Sequence, residues 1–171
     1  MLSYVLRLKE DGMDEHGMDE LNMGEPIKFW KIADNYGFFS NFSAHPIMID
    51  SMIYSTTEHY YQAMKSLDYK IRLDIRSAES PRKAASIGRG TSFVLRPDWE
   101  LIKDAVMLEA VSEKVRQHPA IRQALVETGS REIIEANPHD SYWGSGEDGL
   151  GRNQLGRTWM MARYLIFRGR L

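Results

Sequence analysis

Three stretches of the chain group acids, amides, aromatics and turn formers more densely than packing alone requires. They are Gly37-Phe38-Phe39-Ser40-Asn41-Phe42-Ser43, Thr56-Thr57-Glu58-His59-Tyr60-Tyr61-Gln62-Ala63-Met64-Lys65, and Asp140-Ser141-Tyr142-Trp143-Gly144 continuing to Asn153-Gln154-Leu155-Gly156. Glu58 has two readings. It could complete a capping box over 55–58, its carboxylate reaching back to the backbone N–H of Ser55. Alternatively it is a catalytic carboxylate at a helix N-terminus, where the helix dipole favours the ionised form and suits a base or cation stabiliser. Lys65 follows two helical turns later on the same face, so the pair could frame an anionic ligand, although a solvated lysine is the plainer alternative.

Other groups sort by the same weighing. His59 beside Glu58 lacks the second histidine of a zinc helix motif, and His16, His45, His118 and His139 are scattered, so no metal is expected. Gly144-Ser145-Gly146-Glu147-Asp148-Gly149 is a literal G-x-G-x-x-G. No βαβ unit follows it and Glu147-Asp148 would repel a pyrophosphate, so it reads as a tight loop rather than a dinucleotide site. Arg76, Arg82, Lys83, Arg89 and Arg96 face only Glu79 across 76–96. They make either a phosphate-receiving surface, with Arg89 best placed just past a helix end, or a solvated basic face. Trp99 and Trp143 could each stack on a base. Trp99 also falls on an apolar helical stripe, which favours core packing, whereas Trp143 lies in a polar loop.

The elements that must position these groups follow from patterning. A strand is expected over 27–32, ended by Asp34-Asn35-Tyr36-Gly37. A hairpin is expected over 46–54 about Asp50-Ser51. Helices are expected over about 57–67, 68–77 and 81–87, the last opened by Ser80-Pro81 and stopped by Gly88. A longer helix starts at Pro97 and carries Trp99, Ile102, Val106 and Ala110 at helical spacing up to His118. Pro119 restarts a helix that Gly129 ends. Ile133-Ile134 reads as a short strand, 137–152 as a long loop, and about 153–168 as a helix with Leu155, Trp159, Ala162 and Ile166 on one face. The expected fold is a mostly helical α+β single domain packed on a small β-sheet, without the βα alternation of a parallel one.

Composition bounds the chemistry. The chain of 171 residues has no cysteine, which excludes disulfides, thiolate metal sites and a cysteine nucleophile. No stretch reaches the ~18–20 apolar residues of a membrane span, and the setting expected is cytoplasmic. The formal charge of −2 conceals an asymmetry. Residues 1–25 hold seven acids against Arg7 and Lys9, whereas the remainder holds 20 basic and 17 acidic residues. An acidic leader over 1–26, containing the duplication Gly-Met-Asp-Glu at 12–15 and 17–20, is therefore expected to precede a mildly basic domain over 27–171.

The motifs G-F-F-S-N-F, T-x-E-H-Y-Y-Q-A-x-K, I-G-R after S-P, L-R-x-D-W, and Y-W-G-x-G with G-x-N-x-L-G occur in that order across about 27–168. In this they resemble the NADAR family of N-glycosidases, and specifically its YbiA-like branch. The resemblance implies the corresponding α+β fold and hydrolysis of a bond between a base and ribose. The implied substrates are small phosphorylated ribosyl compounds, namely ribosylaminopyrimidine 5′-phosphate intermediates of riboflavin biosynthesis. Other members of the family remove ADP-ribose from guanine in nucleic acid, and a module that binds ADP-ribose without cleaving it is the non-enzymatic alternative. Carried over residue by residue, the resemblance implies Glu58 as the catalytic carboxylate. Breaking a C1′–N bond builds oxocarbenium character, which such a carboxylate stabilises while orienting water. Around it, Asp140 is expected to assist with water or ribose hydroxyls, and Lys65 and Arg89 to hold phosphate. Asn41, Phe42, Trp99 and Trp143 are expected to contact substrate, and Asn153 to bond ligand or brace its loop. No cofactor is implied. Gly90 departs from the family pattern, which often has an acid after G-R.

Overall fold

Ile27 and Phe29 are buried and Lys28 between them is exposed, the alternation of a strand with one face inward, in β1 (Ile27–Phe29). The computed structural model describes residues 24–90 and 93–171, so most of the expected acidic leader lies outside the described residues. The strand is shorter than the expected 27–32. Asp34 Oδ2 accepts from the N–H groups of Trp30 (2.9 Å) and Lys31 (2.8 Å), which removes both donors from any ladder.

The hairpin forms as expected from β2 (Ile47–Ile49) and β3 (Met52–Tyr54), with Ile49 opposite Met52. Asp50 and Ser51 both have positive φ, 50° and 62°, the backbone of a turn whose twist suits two antiparallel strands. The single small sheet is instead two separate pairs. β1 lies alongside β4 (Ile133–Glu135), joining segments far apart in the chain, and the pairing is parallel: Ile27 faces Ile133 and Phe29 faces Glu135. No local βα repeat signals such a contact in the sequence.

The helices are α1 (Thr57–Ala63), α2 (Tyr69–Arg76), α3 (Pro81–Arg89), α4 (Trp99–Gln117), α5 (Pro119–Glu127) and α6 (Gln154–Phe167). Asp68 and Ser80 cap α2 and α3 with side-chain acceptors, as their sequence signals require. Helix α3 passes through Gly88 rather than stopping there. A Cβ on Gly88 would come within 2.2 Å of Gln62 Oε1, so this glycine marks close approach of α3 to α1. All seven residues of α1 are buried, beneath α2, α3 and α4.

The expected apolar stripes meet in the core. Trp99, Val106 and Ala110 of α4 and Leu155, Trp159 and Ala162 of α6 are buried there with Phe29 and Phe39. A 3-10 turn, Gly37–Phe39, begins the loop 37–43. Phe39 packs on Trp159 with ring centroids 4.4 Å apart, and Trp159 Nε1–H donates to the Phe39 carbonyl at 2.9 Å. Lys114 is fully buried and donates to Ser40 O (3.0 Å) and Ser43 Oγ (2.6 Å). Burial pushes its amine down to about 7.

The late loop is held by two strands of chain running side by side. Arg152, Asn153, Gln154 and Leu155 donate their N–H groups to the carbonyls of Ser141, Gly144, Tyr142 and Trp143, and Gly151 to that of Ser145. Asn153 takes a left-handed conformation at φ 50° and starts α6. Gly156 lets that helix touch β4, because a Cβ there would lie 2.1 Å from Ile133 O and 2.4 Å from Asn153 Oδ1. Gly156→Ala should therefore destabilise the protein by about 1–3 kcal/mol, read as a lowered denaturant midpoint with an unchanged slope.

Candidate functional site

Glu58, Tyr61, Gln62 and Lys65 are spaced i, i+3, i+4 and i+7, and this single face of α1 and its C-terminal turn lines a cavity of about 920 Å³. The other walls come from distant segments: Trp30 and Lys31 after β1, Ser40, Asn41 and Phe42 in the loop 37–43, Arg82 and Arg89 on α3, Met107 on α4, Glu135 at the end of β4, and Asn137, His139, Asp140 and Trp143 in the late loop.

Glu58 does not make the capping box. Thr56 is the N-cap, its hydroxyl accepting from His59 N–H, so Glu58 is one position too early for the reciprocal bond. The Glu58 N–H donates to Asn41 O at 3.1 Å, and its carboxylate Oε1 accepts from Gln62 Nε2 at 2.7 Å. Only 5% of the residue is exposed. Burial pushes its carboxyl above the ordinary range, opposed by the Gln62 hydrogen bond and by the positive charges of Arg89 and Lys65. Lys65 donates to Gly88 O at 3.2 Å and lies over the rings of Tyr61 (5.6 Å) and Trp99 (5.9 Å). Burial lowers its pKa while Glu58 raises it.

Seven of the nine residues singled out in the sequence line this cavity: Asn41, Phe42, Glu58, Lys65, Arg89, Asp140 and Trp143. Asn41 also ties the loop to α1, accepting from Thr57 Oγ1 at 3.0 Å and donating to Met107 Sδ at 3.3 Å. Asp140 Oδ1 accepts from the N–H groups of Tyr142 (2.9 Å) and Trp143 (2.8 Å), and Trp143 packs edge-on against Tyr61 at 5.4 Å.

Trp99 and Asn153 lie elsewhere. Trp99 is buried in the core against Tyr61, so its apolar stripe decides its position. Asn153 accepts from Glu135 N–H at 2.9 Å and donates to Ile133 O at 2.8 Å, bracing the late loop against β4. His59 is a tie within the fold, its ring nitrogens meeting Thr56 Oγ1 at 2.8 Å and Ala78 O at 3.1 Å. Gly146 and Gly149 have φ of 69° and 76°, as a tight loop requires. Among the described residues no three His, Asp or Glu side chains converge as a metal site, and no helix is long and apolar enough to cross a membrane.

The sequence reading did not single out Glu135, Trp30 or His139. Trp30 sits where a strand was expected, and its ring meets His139 edge-on at 6.0 Å. Arg82 lies two turns before Arg89 on α3, and the run of basic residues over 76–96 was the available signal for it. Arg96, from the same run, is occupied by Asp98 in a two-point ion pair of 2.7 and 3.0 Å.

This is the fold of a NADAR domain. The NADAR domain family model matches residues 28–166, and the chain belongs to that family. It is 44% identical over 137 residues to the N-glycosidase YbiA of Escherichia coli, covering 80% of this chain and 86% of that protein. The NMR structure of E. coli YbiA superimposes with a TM-score of 0.79 at 41% identity, over 85% of this chain and 87% of that one. The riboflavin biosynthesis protein PYRR, chloroplastic, of Zea mays is 40% identical over 152 residues, which is 80% of this chain but 24% of that larger protein.

Burial, together with the nearby Asp140 and Glu58 charges, pushes the Glu135 carboxyl from its ordinary 4.5 up to about 8. Near neutral pH the folded form therefore holds a proton that the unfolded chain releases, and stability falls as pH rises from about 4.5 to 8. Glu135→Gln removes that term. The variant should be more stable than the parent at pH 8, by on the order of 1–3 kcal/mol, with the difference closing below the unfolded carboxyl value. Urea titrations of both proteins at pH 4, 6 and 8 check this.

Proposed function

We propose that this chain is an N-glycosidase that hydrolyses ribosylaminopyrimidine 5′-phosphates of riboflavin biosynthesis, giving the free base and ribose 5-phosphate. The observation that carries the reading is the Glu58 carboxylate, buried at the head of α1 and opening on a cavity, with Gln62 donating to it and Lys65 and Arg89 opposing the cost of its burial. The names of the E. coli and maize relatives support the reaction type and the substrate class.

In this reading Glu58 stabilises the positive charge that develops on the ribose and orients the attacking water. Asp140 assists with the water or the ribose hydroxyls. Lys65 and Arg89, with Arg82, receive the 5′-phosphate, and an Arg fork suits that anion better than a point charge. Trp143 offers a ring for the leaving base, and Asn41 and Phe42 form the wall beside it. The substrate's setting makes the cytoplasm the proposed location.

One observation favours a second reading. A cavity of about 920 Å³ lies near the upper end of ordinary ligand sites and leaves room for a larger substituent, as in ADP-ribosylated guanine. The body's net charge of +3 favours the smaller substrate, because gripping a nucleic-acid backbone calls for a stronger basic stripe.

A panel of ribosylaminopyrimidine phosphates and ADP-ribosylated guanine oligonucleotides, followed by release of free base, separates the readings. The parent protein should release base from the aminopyrimidine compounds, and Glu58→Gln should lower kcat by ~100-fold or more with binding retained. Full turnover by Glu58→Gln sinks the mechanism, and binding without base release by either protein would identify a non-catalytic module.

A further inference from the structure

Glu135 is a cavity-lining acid to which the proposed reaction has so far given no task. Its backbone is fixed from several directions. The N–H donates to Asn153 Oδ1 at 2.9 Å, the carbonyl accepts from Ser145 N–H at 2.8 Å, and the next residue, Ala136, donates to Phe29 O at 2.8 Å. The side chain has no comparable anchorage. Glu135 Oε2 is buried and has no hydrogen-bond partner. An ionised oxygen left that way is costly, because neither water nor protein replaces its lost hydration.

Glu58 and Glu135 share one cavity, and burial raises the pKa of both, but their partners differ. At Glu58, burial and the Asp140 charge are opposed by the hydrogen bond from Gln62 and by the positive charges of Arg89 and Lys65. Glu135 feels mainly burial and the repulsion of Asp140 and Glu58, which hold a proton on its carboxyl. The other charged groups on the walls are Lys31 after β1, Lys65 after α1, Arg82 and Arg89 on α3, and His139 on the late loop; none forms an ion pair with Glu135. Asp140 has an oxygen committed to two loop N–H groups. Of the two, the carboxyl with a donor and cations beside it is the better base, and the one whose oxygen has no partner is the better holder of a proton.

We propose that Glu135 is the general acid of the reaction, delivering its carboxyl proton to the departing nitrogen as the C1′–N bond breaks. The inference rests on the N-glycosidase reading. The water oxygen bonds to C1′, and the electron pair of the C1′–N bond goes to the nitrogen, which takes the proton of Glu135. The proton lost by the water passes to Glu58. One water is consumed, base and ribose 5-phosphate leave, and transfer of a proton from Glu58 to Glu135 through solvent restores the starting state. The preorganised β4 backbone is what keeps the acid in place during this step.

The test compares the full chain with Glu135→Gln and Glu135→Asp on two substrates across pH 5–10. One is a ribosylaminopyrimidine 5′-phosphate, whose amine must be protonated to leave. The other is 4-nitrophenyl β-D-riboside 5-phosphate, whose leaving group departs as an anion. For Glu135→Gln, kcat on the aminopyrimidine compound should fall by ~100-fold or more, and the loss of kcat/KM above about pH 8 should vanish. Turnover of the nitrophenyl compound should stay within a few-fold. Glu135→Asp should retain the alkaline limb at reduced rate, and it carries the test if the glutamine variant fails to fold. An unchanged alkaline limb in Glu135→Gln, or equal losses on both substrates, overturns the assignment while leaving the N-glycosidase reading intact. If the parent protein cleaves neither compound, that reading and the assignment fall together.

Discussion

A carboxylate buried as deeply as Glu58 is the constraint on which the rest of the site depends. Taking such a charge out of water costs several kcal/mol unless partners replace the lost hydration. The partners here come from α1 itself and from α3: Gln62 one turn on, Lys65 two turns on, and Arg89 from the neighbouring helix. Lys65 in turn is held against Gly88 O and over Tyr61 and Trp99. The close approach of α3 to α1 at Gly88 thus also brings the charge of Arg89 to bear on Glu58.

A second set of residues acts on the cavity without entering it. Asn153, in a left-handed conformation at the head of α6, bonds both Glu135 and Ile133, and Gly156 leaves the space that this requires. Lys114 and Trp159 hold the loop 37–43 by its carbonyls, so Asn41 can meet the first turn of α1. The short motifs of this chain thus mix groups that face the cavity with groups that hold those groups still. Side-chain type alone does not tell the two apart. Asn41 and Asn153 are the same amide, and only one lines the cavity.

Much of the site was legible because α1 follows a helical period. Once T-x-E-H-Y-Y-Q-A-x-K is a helix, Glu58, Tyr61, Gln62 and Lys65 must share a face. Capping signals likewise placed α2 and α3, and apolar stripes placed α4 and α6. Trp30 escaped because an apolar run reads as strand until the Asp34 side chain is seen to capture its N–H. Glu135 escaped for a different reason. It follows two isoleucines in a three-residue strand and has no local motif, and it reaches the cavity only because β4 pairs with β1 in parallel.

By itself the sequence determined what is local and periodic: which segments coil, where they begin, which helix face carries the acids and cations, and which family the ordered motifs resemble. Tertiary structure alone decided which of those faces meet. It joined β1 to β4, set Arg82 and Arg89 on the wall of the cavity that α1 lines, sent Trp99 into the core and brought Glu135 to the same cavity as Glu58. The physical reason is that hydrogen bonding within a helix depends on residues three and four apart, whereas the charge environment of a buried carboxyl depends on whatever distant segments fold around it.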